Sequence, residues 1–450
     1  MTYLRLKKGH DIGISGKPLA EYLESKSISS VALLPNEFLY TKPKLMVKEG
    51  QSVRRGEALF YDKKRPEIKW ASPGGGKVKH VQFGARRVVE QIVIELDQDE
   101  DILDLGSIAE GDLSGMGREA VIQRILALHL WPLIRQRPFN KIADPSVTPK
   151  AVFISAWDSA PLAADLEFIL KEQGSDFAAG LDILAKLTDG EIHLAIHEDN
   201  MSGTFDSLSQ VRLHRVNGPH PAGNVGILIH HLAPLKPGEI VWTMNPQHVL
   251  LLAKAFSTGQ YDPTLTVAVG GPSLNRTGHI KTRMGANIQS LVKPYLRDGV
   301  HRLIRGDVLT GSMVPEEGYL GFYDTCVSCI PVSKERPFLG WIRPGSAKKN
   351  YSLSRAYLGR NRSDFDFSTL KNGGQRALVP INAWEDVLPM DILPNPLFRA
   401  ILARDLEEME KLGILEMVEE DVALCSFACP SKINLGQIVR QGLDLMEKES

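Results

Sequence analysis

The sequence predicts a multidomain α/β protein, and three patterns carry that prediction. Short apolar runs punctuated by glycines fill residues 37–97, as in a small β-sandwich. Strand-like and helix-like runs then alternate to about residue 275, as they do where helices cover a mostly parallel sheet. The last hundred residues read as amphipathic helices. At 450 residues the chain is long enough to bury several cores. The expected division is 1–110, 111–275, 276–345 and 346–450.

The first unit has two halves. Val47, Gly50, Val53, Gly56, Leu59 and Phe60 alternate short strands with turns, and Ala71, Gly76, Val78, Ile92 and Ile94 repeat the scheme. This pattern resembles the biotinyl/lipoyl carrier fold. A carrier needs a modifiable lysine on an exposed hairpin, and Lys63 and Lys64 lie near that place. The plainer reading makes them solvated turn charges.

The second unit begins with a helix over Ala120–Leu128. Ala151–Ala156, Glu191–Ile196, Glu239–Thr243 and Leu265–Val269 read as strands of one Rossmann-like parallel sheet. Helices are expected over Ala160–Glu172, Phe177–Leu187 and His248–Phe256, the last with Asn245 as N-cap and Pro246 at the first helical position. Gly270–Ser273 follows a strand, where such folds bind ligands. It is not G-x-G-x-x-G, and a tight strand exit fits it better than a phosphate loop.

Val300–Ile304 and Val308–Thr310 read as strands flanking a turn at Arg305–Asp307, and Leu339–Ile342 as a further strand. Asn395 and Pro396 open a helix ending at Gly413, with Phe398, Leu402, Leu406 and Met409 on one face. A final helix is expected over Leu435–Lys448.

Composition narrows the function classes. The net charge of −1 gives no sign of nucleic-acid binding. No run approaches the length of a membrane span, and the first residues lack a signal-peptide core, so a cytoplasmic protein is expected. Four cysteines make no disulfide framework. Cys326 and Cys329 sit in a strand-like run. Together with Cys425 and Cys429 they could form a four-thiolate site only if a turn intervened and the two regions met.

Three groups carry candidate chemistry. Cys425 and Cys429 lie in C-x3-C-P, the ending of a bacterial ferredoxin cluster run whose first half is missing here. They read as an inherited structural pair, or as weak metal candidates completed by a partner. His214, His220, His230 and His231 fall close together around the loop G-P-H-P-A-G, and loops on rigid scaffolds carry binding sites. Arg135 and Arg137 lie beside Trp131 and Phe139, suited to an anionic or aromatic group or to a neighbouring subunit. The plainer reading is an interdomain strut. There is no P-loop, no G-x-S-x-G and no recognisable carboxylate pair.

Several segments together resemble one family. They are L-K-K-G-H-D-I-G-I-S-G-K-P (Leu6–Pro18), R-P-F-N-K-I (Arg137–Ile142), D-S-A-P-L-A-A-D (Asp158–Asp165), G-P-H-P-A-G (Gly218–Gly223), I-R-G-D-V-L-T-G-S (Ile304–Ser312), R-A-L-V-P-I (Arg376–Ile381) and E-E-D-V-A-L-C-S-F-A-C-P-S-K (Glu419–Lys432). In that order they resemble the A-subunit family of the sodium-translocating NADH:quinone reductases, and the likeness covers essentially the whole chain. It implies a β-grasp-like module over 276–345, where Cys326 and Cys329 depart from the family's pattern.

The resemblance further implies a peripheral subunit on the cytoplasmic face of the bacterial inner membrane. It would be held by the other subunits of that complex, chiefly an integral membrane subunit. The complex oxidises NADH, reduces ubiquinone and exports sodium. Flavins and iron–sulfur centres are expected on partner subunits, with no cofactor bound firmly here. Ubiquinone is a candidate ligand, and His220, His230, Arg135, Arg137 and Phe139 are the candidates for quinone or partner contact. A quinone carbonyl needs a hydrogen-bond donor in an apolar pocket, which a histidine supplies. More distantly, the chain resembles the NADH/flavin-binding subunit of respiratory complex I and the C-subunit of the Rnf complex. Their glycine-rich flavin loop and full cluster motifs are absent here. The alternatives are a stand-alone flavin- or NADH-binding dehydrogenase component and a lipoyl or biotinyl carrier.

Overall fold

The computed structural model describes residues 2–25, 27–206, 208–315, 317–334, 338–339, 351–353, 358, 363–379 and 381–449. The expected strand Leu339–Ile342 falls almost wholly outside them.

Two small sheets form the N-terminal sandwich. Ser30–Leu33, Val89–Leu96, Gly76–Phe83 and Ser52–Val53 make one, and Pro43–Leu45, Ala58–Asp62 and Lys69–Ala71 the other. Alternating side chains send Val31, Val78, Ile92 and Ile94 inward from the first sheet to meet Phe60, Ile68 and Trp70. Phe60 and Trp70 stack 4.5 Å apart. Lys63 and Lys64 are exposed in the turn after Asp62, and the Lys64 backbone N–H donates to the Asp62 carboxylate at 3.1 Å.

The central sheet has seven strands, in the order Thr2–Arg5, Val211–Asn217, Ile192–His197, Val152–Ser155, Val241–Thr243, Arg135–Arg137 and Lys141–Ile142. The first five are mutually parallel, and the last two form an antiparallel edge hairpin. The four strands from 152 to 243 take the spatial order 3-2-1-4. Thr2–Arg5 therefore belongs to this sheet and not to the N-terminal unit, with Leu4 packing beside Phe153 and Val216. Helices Gly174–Ala185 and Pro246–Thr258 pack against each other on one face. Asn245 caps the second, accepting from Gln247 N–H at 2.9 Å, and Gly259 ends it in the left-handed conformation. Helix Val225–Leu232 packs on the opposite face, against Val152–Ser155. Of the helix expected over Ala160–Glu172 only Leu166–Leu170 forms, because Asp165 caps it there.

Thr264–Gly270 is not the next strand of that sheet. It is a central strand of a five-stranded mixed sheet, ordered Gly278–Arg283, Thr264–Gly270, Cys326–Pro331, His301–Arg305 and Ser312–Met313. Antiparallel pairing to Gly278–Arg283 and parallel pairing to Cys326–Pro331 hold it there. The expected strand Val308–Thr310 is a turn: the Asp307 carboxylate accepts from the N–H groups of Leu309 and Thr310 and curls the chain. In Gly270–Ser273, Gly271 N–H donates to Gly16 O and Ser273 N–H to Cys329 O. Those donors are spent within the chain.

The C-terminal unit comprises helices Pro394–Ala403, Leu406–Lys411, Ala423–Ala428 and Leu435–Glu449 around a second core with Trp384, Phe398, Ile401, Met409, Leu435 and Leu443, which Ile12, Phe139, Leu162, Ile227 and Ile330 join from the other units. The single helix expected from Asn395 to Gly413 breaks at Arg404, which is left-handed (φ 59°), and restarts on the Asp405 cap. The break turns Leu402 outward, and Leu397 and Ile401 take the buried face with Phe398.

Candidate functional site

Arg135 and Arg137 alternate with Gln136 on one strand, so both point to one face of the central sheet. That is the face of Val225–Leu232, and the C-terminal unit packs beside that helix. Arg137 is 2% exposed. Its Nη2 donates to Glu420 Oε1 at 2.5 Å and its Nη1 to Asp421 Oδ2 at 3.4 Å. Asp421 is fully buried and also accepts from Val418 N–H at 2.9 Å. Burial raises its carboxyl to about 6, with Arg137 opposing and Glu420 reinforcing the rise. The Arg135 guanidinium lies 4.6 Å over the Tyr323 ring, and burial lowers its pKa. Phe139 is buried, and its carbonyl accepts from Arg440, which also grips Glu419. Arg137 and Phe139 are thus fastened to the segment Glu419–Asp421.

Gly226, in the first turn of helix Val225–Leu232, makes room for this contact. A Cβ there would lie 2.4 Å from both oxygens of Asp421. Asn224 Nδ2 donates to Glu420 O at 3.1 Å.

The loop Gly218–Gly223 leaves the carboxyl end of strand Val211–Asn217 and carries His220. Its backbone N–H donates to Asp11 Oδ1 at 2.8 Å. Gly9 has φ +129° and passes so close to His220 O (2.4 Å from a notional Cβ) that only glycine fits. His220 Nδ1 lies 3.1 Å from Ser159 Oγ, which accepts from Gly223 N–H at 2.9 Å. A hydroxyl oxygen can accept two hydrogen bonds and donate one, so the Ser159 contact is made in either tautomer of the ring. His220 is 2% exposed, and Nε2 is buried with no hydrogen-bond partner among the described residues. Burial lowers the histidine pKa, with Asp307 and Asp11 opposing. Next to it, burial raises the Asp158 carboxyl to about 6, and the charges of Asp307 and Glu420 add to the rise. This corner is therefore a neutral imidazole and a carboxyl group that changes protonation near neutral pH.

His230 is different. Asp391 N–H donates to its Nε2 at 2.9 Å, so Nδ1 carries the proton and donates to Glu416 Oε2 at 2.9 Å. Both nitrogens are used to hold the C-terminal unit, and His231 Nε2 does likewise with Pro389 O at 2.7 Å. His214 stacks on His193 inside the sheet, and burial lowers its pKa to about 4.

Cys326 and Cys329 lie on one uninterrupted strand, hence on opposite faces, within the first core. Cys425 and Cys429 lie in the C-terminal core. The two pairs do not meet. Burial raises the thiol pKa of Cys425, which donates weakly to Trp384 O at 3.8 Å, and pushes Cys329 up to about 12. Among the described residues no group of three or more His, Cys, Asp or Glu side chains could hold a metal ion, and no helix is long and apolar enough to cross a membrane.

The structure therefore joins His220 to Asp158, Ser159, Asp307 and Asp11, and Arg137 to Glu420 and Asp421. It parts His230 from the first group. The residues that residue type and spacing do not single out are Asp11, Asp158, Ser159, Asp307, Glu420 and Asp421. Their signal is present all the same, since each lies in a segment that carries the family resemblance.

Three family models match in sequence order: NqrA N-terminal barrel-sandwich hybrid domain over 4–97, NqrA second alpha/beta domain over 116–261, and NQRA C-terminal domain over 266–315. Among solved structures, an NAD+-reducing [NiFe]-hydrogenase in the H2-reduced state is similar at a TM-score of 0.39 and 12% identity, covering 74% of this chain and 61% of that one, too distant to bear on the argument. The A-subunit of the Na(+)-translocating NADH-quinone reductase of Yersinia pestis is 39% identical over 449 residues, covering 99% of this chain and 100% of the relative. The proteins of the same name from Pasteurella multocida and Serratia proteamaculans are each 38% identical, again over 99% of this chain and 100% of theirs. With that identity over its full length, the chain belongs to the family of Na(+)-translocating NADH-quinone reductase A-subunits.

Proposed function

We propose that this chain is the peripheral subunit of its enzyme complex, that it anchors to an integral membrane partner on the cytoplasmic face, and that the corner around His220 meets the ubiquinone head group. Redox cofactors, flavins and iron–sulfur centres, would reside on partner subunits, which carry the hydride and electron chemistry. The finer fold reading is a Rossmann-like unit and a β-grasp-like unit. The parallel order 3-2-1-4 supports the first, and the mixed order 2-1-5-3-4 of the sheet from Thr264 to Pro331 supports the second. The natural divisions then fall near 97, 262 and 331 in place of 110, 275 and 345.

One observation carries the ligand reading: His220 Nε2 is buried with no hydrogen-bond partner among the described residues, at a point where segments from 9–11, 158–159, 218–223 and 307 converge. A buried polar nitrogen without a partner is unfavourable, and with its proton on Nε2 the ring would donate to a quinone carbonyl. Arg135, Arg137, Phe139 and His230 serve the internal joint and are better read as holding the C-terminal unit. The stand-alone dehydrogenase and carrier readings find no comparable support.

The test is His220→Leu in the assembled complex, with His220→Gln as the donor-retaining control. Loss of one hydrogen bond predicts a KM for ubiquinone raised roughly tenfold, with partial recovery in the glutamine variant. NADH oxidation by an artificial acceptor should be unchanged. An unaltered ubiquinone KM in a folded, assembled leucine variant would refute the contact.

A further inference from the structure

We propose that the tip of the hairpin formed by Gly76–Phe83 and Val89–Leu96 is a lipid-surface contact that takes anionic phospholipid headgroups. The proposal rests on the peripheral-membrane reading above, but its test does not require the complex.

Three observations lead to it. The strands run eight residues each, and their apolar faces are buried up to Val81 and Val89. Beyond that point the turn carries Phe83 and Val88, each 49% exposed. Arg86 and Arg87 lie between them, also exposed. The segment from Phe83 to Val89 holds no acidic residue. Glu90, the next carboxylate in sequence, lies beside Gly84 at the base of the turn and accepts from Gln82 Nε2 at 3.3 Å, leaving the two arginines in excess over one acidic group. Finally, Arg86 and Arg87 are both left-handed, at φ 56° and 57°. That conformation disfavours L side chains, and glycine enters it freely. The turn closes on its own backbone, Gly84 N–H to Val88 O at 2.8 Å and Val88 N–H to Ala85 O at 3.2 Å, so neither guanidinium is needed to form it.

Two strained arginines between two exposed apolar side chains suit an interface that is anionic outside and apolar beneath. Phosphates meet the guanidinium groups, and Phe83 and Val88 enter the acyl boundary. Size argues against a protein as sole occupant. A stable protein interface needs about 800 Å² per partner, far more than a six-residue tip presents. A lipid surface needs no such area, since each basic residue near it strengthens partitioning about fivefold.

The test is co-sedimentation of the full chain with vesicles of phosphatidylcholine alone or with about one-third phosphatidylglycerol. Binding to the anionic vesicles is expected to be the stronger and to weaken with salt. Arg86→Gly with Arg87→Gly removes both charges while easing both backbones. Its Tm should not fall, and its partitioning to anionic vesicles should drop roughly 25-fold. Phe83→Ser should weaken binding to both kinds of vesicle. Equal binding of the wild type to neutral and anionic vesicles, or wild-type binding by the double variant, would overturn the proposal. So would unchanged lipid binding with impaired assembly into the complex, which would assign the tip to a protein partner. A lowered Tm would show that the arginines serve the fold.

Discussion

Replacing Arg137 by Met should undo the joint between the central sheet and the C-terminal unit, and the effect should depend on pH in a defined direction. Arg137 is 2% exposed and Asp421 is 0% exposed, so the substitution strands a buried carboxylate. Breaking such a pair costs about 3–5 kcal/mol. Glu420 is one-third exposed, is screened by solvent and adds little. The Asp421 carboxyl titrates at about 6 in the folded chain against an ordinary value of 3.8. The folded state therefore binds this proton more tightly than the unfolded state does. The group's contribution is most favourable below about pH 4, declines as pH rises to about 6, and stays low above it. Arg137 opposes that rise, so its loss moves the folded-state value higher. The variant's deficit should be largest on the alkaline side of the new value and should shrink by about 1.4 kcal/mol per pH unit as pH falls from that value to about 6, where the wild type takes up the same proton. Urea unfolding across this range, with hydrogen exchange of residues 416–449 as the local readout, measures it. Arg137→Met with Asp421→Asn should recover much of the loss. A deficit under about 1 kcal/mol near pH 8, or one that grows on acidification, would refute this account of the joint.

Two further outcomes follow from the same packing. Gly226→Ala puts a methyl group 2.4 Å from the Asp421 oxygens and should destabilise by about 1–3 kcal/mol. Added to Asp421→Ala it should cost almost nothing more, a non-additivity that a double-mutant cycle in urea detects. Cys326, Cys329, Cys425 and Cys429 are each at most 4% exposed, so a thiol reagent near neutral pH should label none in the native chain and all four after unfolding. Rapid labelling of any one would contradict its placement.

Local signals in the sequence located most elements and left their sheet membership open. Asn245 and Pro246 mark a helix start because capping is a short-range interaction, and the structure begins the helix there. The apolar run Leu265–Val269 reads correctly as a strand, yet nothing in a run of β-branched residues states which sheet it joins. Pairing with Gly278–Arg283 and Cys326–Pro331 decides that. Thr2–Arg5 pairs with a strand two hundred residues away, beyond any periodicity argument. The break at Arg404 was legible, since Asp405 is a good N-cap, but the spacing of Leu402 and Leu406 imitates one continuous stripe. His220 stood out by residue type in a proline-glycine loop. Asp158 and Asp421 did not, because an aspartate becomes chemically unusual only when docking removes its water.

The buried charges also explain why the segments that resemble the family are scattered along the chain yet adjacent in space. A guanidinium buried as deeply as that of Arg137 must be neutralised, and its neutralising carboxylates arrive from residues 420 and 421, almost three hundred positions later. His230 is likewise bonded to Glu416 and Asp391, and His220 to Asp11 and Ser159. Most of these contacts lie on the seam of the C-terminal helices, whose core also takes in Ile12, Phe139, Leu162, Ile227 and Ile330 from the rest of the chain. Polar joints of this kind specify a docking geometry that apolar packing alone would leave loose, though they add little net stability. The His220 corner inherits that geometry: Asp11, Ser159, Asp307 and Glu420 come from four different stretches of chain. Its chemistry is therefore a property of the docked assembly of units and not of the parallel sheet alone. Loosening the Arg137 joint should disturb the corner before it unfolds either core.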